Sequence, residues 1–295
     1  MCAMVFLTAN DSRTRYTTMK ALPDSVTIYT ADTRKNVLRL NKYGGVELTT
    51  FNNVVTAMDT ITSDNTVILG CHNGSLIIWD TRSRAHSIIE GHKAAVNVLC
   101  KHPVYEVISG SDDGLIAIWD MRSFREPVTT FSHSHAVTSL HITDSILVST
   151  SIDGSVRIWD LIRNALLHTH AQLAPSYPIF DAVLTCKQVL YTIGTNGLNL
   201  LAMRGSLQPL KVQRIEQLNN RLCHQPPFTR LFNARSALIL ANHYTIMKLS
   251  NQLEIVDQYC RSTMPISETE PPPIVQLYSD HLLYSLDNKI MIRRI

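Results

Sequence analysis

The stretch SDDGLIAIWD, residues 111–120, has a close copy on either side of it in the chain. CHNGSLIIWD occupies residues 71–80, and SIDGSVRIWD occupies residues 151–160. The three tryptophans of the chain therefore lie 40 residues apart, at Trp79, Trp119 and Trp159. A fixed period of about 40 to 45 residues is typical of a repeat in which each unit forms one four-stranded sheet. The period predicts a β-propeller, in which such sheets are the blades.

The same frame extends beyond the three tryptophan repeats. Short runs of β-branched and apolar residues recur between Gly, Asn, Asp and Pro residues, which is typical of strands. Dipeptides such as Asp113-Gly114 and Asp153-Gly154 supply the residues that a tight hairpin requires. The frame predicts seven third strands, ending near residues 40, 80, 120, 160, 202, 249 and 293. We therefore expect an all-β protein with one domain, residues 1–295, that forms a seven-bladed propeller of four-stranded antiparallel blades.

The two ends of the chain are predicted to share one blade. The C-terminal segment KIMIRRI, residues 289–295, forms a third strand and leaves no residues for a fourth. A ring that ended there would expose an edge strand, which favours aggregation. The N-terminal segment AMVFLT, residues 3–8, is apolar and is expected to supply the missing strand and close the ring.

Composition excludes several classes of protein. Of 295 residues, 45% are hydrophobic and 17% charged, which is typical of a globular chain. The net charge of +3 is small and the basic residues are dispersed, so we expect no direct binding of nucleic acid. No apolar run reaches the roughly 18 residues of a membrane span, and the apolar start is too short for a signal peptide. Six cysteines lie far apart without a C-x-x-C pair, which favours a reducing compartment. We expect an intracellular protein, nuclear, cytoplasmic or both, without a membrane partner.

The sequence carries no catalytic motif such as G-x-S-x-G, H-E-x-x-H or a phosphate-binding glycine loop. We therefore expect neither enzymatic activity nor a cofactor. Two H-x-H pairs, His133 with His135 and His168 with His170, place two imidazoles on one face of a strand. Neither pair has a third ligand in view, so a structural role is favoured over a metal site.

Gly91-His92, followed by Ser109, Asp113 and Trp119-Asp120, resembles a complete repeat of the WD-repeat (β-transducin-like) family. In that family a loop histidine, a strand serine or threonine, the turn aspartate and the tryptophan form a hydrogen-bonded tetrad. The resemblance implies two tetrads here, formed by His92, Ser109, Asp113 and Trp119 and by His133, Ser149, Asp153 and Trp159. The repeat that contains Trp79 departs from the pattern, with Leu69 in the serine position and Asn73 in the aspartate position.

Residues 86–200 are similar to the mitotic spindle-checkpoint WD-repeat protein and to the related messenger-RNA export WD-repeat factor. The similarity rests on residues 90–114 and on the short connection, residues 143–145, between two strands of the next repeat. It implies a non-enzymatic scaffold that binds peptide segments of larger proteins, with checkpoint kinase, kinetochore or nuclear-pore proteins as partners. Asp112 and Phe180 depart from that branch, which has a tryptophan and an arginine at these positions.

Propeller geometry predicts where a partner peptide binds. The turns between second and third strands, and the loops that lead into each first strand, lie at the same mouth of the channel. A mixture of aromatic and apolar anchors with a few charges suits a peptide. The residues predicted for this partner-binding face are His72, Lys93, Asp112, His135, Ile152, Tyr177, Phe180 and Thr195.

A second surface is the alternative candidate for partner binding. The segments WDTR, residues 79–82, and WDMR, residues 119–122, resemble the W-D-x-R box of propellers that act as substrate receptors of cullin-based ubiquitin ligases. The resemblance implies a cullin adaptor as partner, bound through Trp79, Asp80, Arg82, Trp119, Asp120 and Arg122. The box is common among WD repeats, and WDLIR, residues 159–163, breaks it with one extra residue.

Overall fold

The structure is a computed structural model in which the chain divides into two compact units, Met1–Phe131 with Pro273–Ile295 (unit 1) and Ser132–Pro272 (unit 2). All strands that it describes belong to four-stranded antiparallel sheets. The described residues are 4–8, 16–21, 27–40, 46–61, 65–102, 106–120, 122, 125–171, 177–185, 189–195, 197–204, 208–214, 229–234, 237–242, 245–250, 254–260, 275–278, 281–286 and 289–294.

Unit 1 begins with one separate strand and continues as three four-stranded meanders, in which consecutive strands pair. The separate strand is β1 (Met4–Thr8). The meanders are β2 (Tyr16–Ala21), β3 (Ile28–Asp32), β4 (Asn36–Leu40) and β5 (Val46–Thr50); β6 (Val55–Thr60), β7 (Thr66–Cys71), β8 (Ser75–Asp80) and β9 (His86–Glu90); and β10 (Val96–His102), β11 (Glu106–Ser111), β12 (Leu115–Trp119) and β13 (Thr129–Ser132).

Unit 2 contains three further meanders of the same kind. They are β14 (Val137–Thr143), β15 (Ile146–Ser151), β16 (Ser155–Asp160) and β17 (Ala165–Ala171); β18 (Ile179–Leu184), β19 (Val189–Gly194), β20 (Gly197–Arg204) and β21 (Gln208–Arg214); and β22 (Arg230–Ala234), β23 (Ala237–Ala241), β24 (Thr245–Ser250) and β25 (Ile255–Cys260).

The remaining sheet joins the two ends of the chain within unit 1. Its strands are β26 (Val275–Tyr278), β27 (His281–Leu286) and β28 (Lys289–Arg294), and their order in the sheet is β1-β28-β27-β26. β1 runs antiparallel to β28, with Met4 opposite Ile292 and Thr8 opposite Lys289. The N-terminal segment therefore supplies the fourth strand of the sheet that the C-terminal segment leaves incomplete.

The strand frame follows the tryptophan period. The third strands β4, β8, β12, β16, β20, β24 and β28 end at residues 40, 80, 119, 160, 204, 250 and 294. Each end lies within two residues of the position predicted from the sequence. The described residues thus form seven four-stranded sheets.

The cores lie between sheets that follow each other in sequence. In unit 1, Tyr29 and Val37 of one sheet pack against Leu69 and Trp79 of the next. Middle strands such as β3 are buried throughout, whereas the outer strands β5 and β9 are mostly exposed. Middle strands that are buried along their whole length are typical of sheets covered on both faces. This packing confirms an all-β propeller with four-stranded antiparallel blades.

Unit 2 is packed in the same way. Val183 and Leu198 of the β18–β21 sheet share a core with Leu238 and Met247 of the β22–β25 sheet. Burying aliphatic side chains of this size contributes roughly 1.5–3 kcal/mol each to stability. The hydrophobic effect between blades is therefore the main term that holds each unit together.

Candidate functional site

The side chain of His92 lies at the centre of a buried network in the β10–β13 sheet. Its Nε2 atom lies 2.7 Å from the Ser109 hydroxyl, and Trp119 donates its indole N–H to the same hydroxyl at 2.8 Å. Its Nδ1 atom lies 3.2 Å from a carboxylate oxygen of Asp113. All four groups are consistent with one tautomer, in which His92 donates from Nδ1 and accepts at Nε2. The network fixes the loop around His92 to the turn that follows β11.

The Asp113 carboxylate also organises the backbone around it. It accepts the backbone N–H of Lys93 at 2.9 Å and that of Leu115 at 2.9 Å. Burial raises the pKa of Asp113, but these donors and His92 outweigh burial and hold the pKa below its usual value. Burial lowers the pKa of His92 more than Asp113 raises it, so the imidazole is neutral at physiological pH.

The second network, in the β14–β17 sheet, contains an additional residue. His133 Nε2 lies 2.7 Å from the Ser149 hydroxyl, to which Trp159 donates at 2.8 Å. His133 Nδ1 pairs with the Ser155 hydroxyl at 2.9 Å, whereas the Asp153 carboxylate is 3.9 Å away. The direct pairing of His133 with Asp153 that the resemblance implies is therefore replaced by a pairing with Ser155.

The reason is the residue that follows the turn glycine. Ser155 carries a hydroxyl where the preceding repeat has Leu115, which has none. Asp153 instead accepts the backbone N–H of Ser155 at 2.8 Å and the Ser134 hydroxyl at 2.5 Å. The sequence signal for this arrangement is Asp-Gly-Ser in place of Asp-Gly-Leu.

The environment of His133 strongly disfavours its charged form. Burial lowers the pKa of His133 to about 4, the Arg157 guanidinium adds to this effect, and the Asp153 carboxylate opposes it. Arg157 also donates a hydrogen bond to the backbone carbonyl of Ser132. His133 is therefore a neutral structural residue rather than a candidate general base.

The Trp79 repeat uses aromatic packing instead of a polar network. Leu69 and Trp79 are both buried, and within the described part of the chain the Trp79 indole N–H has no hydrogen-bond partner. Trp79 packs edge to face with Tyr29 and Phe51, at ring-centroid distances of 5.9 Å and 5.7 Å. Asn73, in the aspartate position, accepts hydrogen bonds from the backbone and hydroxyl of Ser75.

Backbone hydrogen bonds join several second-to-third turns to an entry loop, the loop that leads into a first strand. In unit 1 the His72 N–H donates to Val54 at 2.9 Å and the Asp112 N–H donates to Ala95 at 2.9 Å. His92 also donates its backbone N–H to Gly74 at 3.0 Å, which links neighbouring sheets. The three residues predicted for the partner-binding face in unit 1 lie at this end and are exposed: His72, Lys93 and Asp112.

The corresponding end of unit 2 is more apolar. Ile152 donates its backbone N–H to Ala136, and Thr195 donates to Pro178. The Thr138 hydroxyl donates to the backbone carbonyl of Ile179 at 2.7 Å, which joins the first strands β14 and β18. Five predicted residues lie at this end: His135, Ile152, Tyr177 and Thr195, which are exposed, and Phe180, which is half-buried.

The two W-D-x-R segments lie at the ends of β8 and β12, and their aspartates accept hydrogen bonds within the turns that follow. Trp79 and Trp119 are buried. Asp80 accepts the backbone N–H of Arg82 at 2.8 Å. Asp120 accepts both the backbone and the guanidinium of Arg122, whose hydrogen bonds hold the pKa of Asp120 at about 2. Of the six box residues, only the two arginine side chains are exposed.

The described residues contain neither a cluster of metal ligands nor a helix that could span a membrane. Within those ranges, no group of three or more His, Cys, Asp or Glu side chains could hold a metal ion. His133, from one of the two H-x-H pairs, is occupied by the Ser149 network. The same part of the chain contains no helix of the length and apolarity that a membrane span requires.

Comparison with known proteins locates the family signal in the two repeats with polar networks. The family model "WD domain, G-beta repeat" matches residues 83–120 and 125–160. Similar relatives are "Nuclear distribution protein PAC1" of Candida albicans, 31% identical over 153 residues, and of Candida dubliniensis, 32% identical over 153 residues. "Periodic tryptophan protein 2" of Arabidopsis thaliana is 32% identical over 116 residues.

Each alignment covers only part of this chain and only part of the relative. The alignments with the two PAC1 proteins cover 45% of this chain and 31% of each relative. The alignment with the Arabidopsis protein covers 38% of this chain and 13% of the relative. The chain thus spans about a third or less of the length of these curated relatives. The matched residues, 83–120 and 125–160, therefore resemble WD repeats, and their strands form four-stranded blades.

Proposed function

We propose that the chain is a non-enzymatic protein-interaction scaffold that binds peptide segments of larger proteins. The observation that carries this proposal is the exposure of apolar side chains at the turn end of unit 2. Ile152 is 43% exposed and Tyr177 is 46% exposed, beside the half-buried Phe180. Exposed aromatic and aliphatic anchors of this kind supply most of the binding energy at peptide sites.

The polar networks support the same function indirectly. His133, Ser149 and Trp159 are buried and bonded to each other, so they hold the loop beside Ile152 in place. A surface that is ordered before binding loses less conformational entropy when a partner docks. The turn end therefore presents its exposed side chains on a rigid base.

We further propose that both units belong to one domain, residues 1–295, with seven blades in a ring closed by β1. Seven four-stranded sheets support this blade count. The pairing of β1 with β28 supports closure, because it covers an edge that would otherwise be open.

For the partner class, we propose an adaptor of the mitotic checkpoint or kinetochore type, nuclear or cytoplasmic, without direct contact to nucleic acid or membrane. The similarity of residues 86–200 to that branch supports it. The exposed Asp112 and the half-buried Phe180 differ from that branch, so the bound peptide is expected to differ as well. Two relatives are named nuclear distribution proteins, so a role in nuclear distribution is a further candidate for this chain.

A cullin adaptor is the alternative partner, and the structure favours it less. Trp79 and Trp119 are buried, and the Asp80 and Asp120 carboxylates are occupied by their own turns. A partner at this surface would contact chiefly Arg82 and Arg122, which are exposed.

Capture of partners from cells with matched variants tests the proposal. We expect Tyr177→Ala to weaken partner binding by about 1–3 kcal/mol, since exposed aromatic anchors contribute that much. Its thermal unfolding should be unchanged, because the ring is not part of the core. Arg82→Ala combined with Arg122→Ala is the control and should retain the partner. If the arginine variant loses the partner and Tyr177→Ala retains it, the binding surface lies on the W-D-x-R side.

Mass spectrometry of the captured proteins separates the partner classes. Checkpoint kinase or kinetochore proteins would support the adaptor assignment, and a cullin adaptor would support the alternative.

A further inference from the structure

The turn after β8 and the outer strand β9 carry an exposed serine that follows two exposed arginines. Residues 82–88 read RSRAHSI. Arg82 and Arg84 lie in the turn between β8 and β9, at positions five and three before Ser87, which lies on β9. All three side chains are exposed. The segment therefore presents an accessible hydroxyl directly after two cations.

Ser87 carries the hydroxyl of this segment that the fold does not use. Thr81 is buried and donates its hydroxyl to the backbone carbonyl of Asn65 at 3.0 Å. Ser83 donates its hydroxyl to the Asp80 carboxylate at 2.9 Å. Within the described part of the chain, the Ser87 hydroxyl has no hydrogen-bond partner. A reaction at this oxygen therefore breaks no contact of the fold.

The position of β9 in its sheet makes the segment accessible to an enzyme. β9 is the last strand of the β6–β9 sheet and pairs with β8, where Ser87 lies opposite Ile78. All residues of β9 are exposed except Ile89, which is half-buried. An outer strand with so few buried contacts can open locally at a lower cost than unfolding of the domain. An enzyme that binds an extended segment can therefore reach Ser87 in the folded protein.

The chain offers an internal comparison, because Arg13 and Arg15 precede Thr18 at the same spacing. Thr18 lies on the first strand β2 and is half-buried. The adjacent Thr17 donates its hydroxyl to the backbone carbonyl of Val55 at 2.5 Å, which fixes this part of β2 to the next sheet. The same spacing of arginines therefore precedes an accessible hydroxyl on β9 and a far less accessible one on β2.

We propose that Ser87 is a phosphorylation site for a serine/threonine protein kinase that selects basic segments. An acidic peptide groove suits Arg82 and Arg84, because charge patterns govern which substrates a kinase accepts. Ile88, which is 49% exposed, follows the hydroxyl and suits an apolar pocket. In the reaction, Ser87 Oγ attacks the γ-phosphorus of ATP, the bond to the β,γ-bridging oxygen breaks and ADP leaves. The catalytic aspartate of the kinase accepts the hydroxyl proton.

Phosphorylation at this position changes the surface and leaves the fold intact. The phosphate adds a charge of about −1.5 to −2 at pH 7, which roughly cancels the charges of Arg82 and Arg84. Since the Ser87 side chain is exposed and has no partner among the described residues, the modified protein should keep its melting temperature. The modification therefore acts on partners that approach the outer strand.

The test incubates the full chain with Mg²⁺ and ATP and with either a kinase selective for basic segments or one selective for acidic segments. Mass spectrometry of the digested protein locates the phosphate. The kinase selective for basic segments should modify Ser87, at least about tenfold faster than the other kinase does. Ser87→Ala should abolish this signal, and Arg84→Gln should lower the rate about tenfold, since one charge contact with the kinase is lost.

Arg163→Gln is the matched control. Arg163 lies in the corresponding turn after β16, and its side chain is 78% exposed, but no serine or threonine follows it at the same spacing. This variant should be phosphorylated at the rate of wild type. An equal loss of rate in Arg84→Gln and Arg163→Gln would overturn the proposal, as would equal rates with the two kinases.

Two further comparisons test whether the fold selects the site. Phosphate on Thr18 at a rate equal to that on Ser87 would overturn the role of the outer strand. Phosphorylation of a synthetic peptide of residues 80–92, without phosphorylation of the folded chain, would show that the hairpin hides Ser87. Protein isolated from its own cells, with phosphatases inhibited, should carry phosphate on Ser87, and its absence there would also overturn the proposal.

Discussion

Protonation of His133 is expected to make the stability of the protein fall with pH in a defined window. The pKa of His133 is about 4 in the folded protein and 6.5 as its ordinary value. Between these two pH values the unfolded chain binds a proton that the folded protein does not. Stability is therefore fully present above pH 6.5 and decreases as the pH falls toward 4.

The magnitude follows from the difference between the two pKa values of His133. Since one pKa unit is equivalent to about 1.4 kcal/mol, the difference between the two pKa values corresponds to roughly 3.5 kcal/mol in all. About 2–3 kcal/mol of this is lost between pH 6.5 and pH 4, because the imidazole is half protonated in the unfolded chain at the upper limit and in the folded protein at the lower one. Asp113 and Asp153 have lowered pKa values, so their stabilising effect is lost only at lower pH, below the ordinary value of 3.8. Burial also lowers the pKa values of His92 and His141, which act in the same direction as His133.

Urea unfolding of wild type and His133→Gln, at a series of pH values, isolates the contribution of His133. The variant should be less stable at neutral pH, because Ser149 and Ser155 lose their partner. The difference in stability between the two proteins should shrink by about 2–3 kcal/mol from about pH 7 to about pH 4. A difference that stays constant over this range would show that His133 is not held neutral by the fold.

Three further predictions concern stability. Asp153→Ala should cost about 2–4 kcal/mol in urea unfolding, since it removes a nearly buried carboxylate that accepts hydrogen bonds from Ser134 and Ser155. Asp120→Ala should leave the midpoint nearly unchanged, because its carboxylate accepts hydrogen bonds within an exposed turn. Equal midpoints would contradict this difference between the two carboxylates. Trp119→Phe should destabilise the protein more than Trp79→Phe, by about 1–3 kcal/mol. Of these two tryptophans, Trp119 donates a hydrogen bond to a buried hydroxyl and Trp79 does not. Calorimetry that ranks the two variants in the opposite order would refute this. Deletion of residues 1–9 removes strand β1, the partner of β28, and leaves a sheet edge open. The variant should therefore form aggregates that light scattering detects. A soluble monomer with an unchanged melting temperature would show that the edge is protected in another way.

The positions of the strands could be predicted from the sequence because they depend on local rules. Turn dipeptides such as Asp113-Gly114 and the 40-residue spacing of the tryptophans fix where third strands begin and end. The network of His92 was accessible through the resemblance of its repeat to a known family. These features depend on residue types at fixed distances along the chain, which a sequence displays directly.

The hydrogen-bond partner of His133 Nδ1 could not be predicted from the sequence in the same way. Both Ser155 and Asp153 lie close in sequence to the same turn, and each can pair with an imidazole. Which of them does so depends on side-chain rotamers and on the competing donor Ser134, which hydrogen-bonds Asp153. Such competition is settled in three dimensions, and the sequence indicates only that a hydroxyl is available.

The aromatic packing around Trp79 was missed for a related reason. Tyr29 and Phe51 come from a neighbouring sheet and from an entry loop, so no local motif connects them with Trp79. Edge-to-face contacts of this kind contribute about 0.5–1.5 kcal/mol beyond the burial of the rings. They help to explain how one repeat lacks the polar network and still keeps a fully packed core.

The turns show how the fold can hold its shape while its surface chemistry varies. His72, Asp112, Ile152 and Thr195 all join their entry loops through the backbone N–H, a bond that any residue except proline can make. A charged, aromatic or aliphatic residue at such a position changes the surface without disturbing a strand.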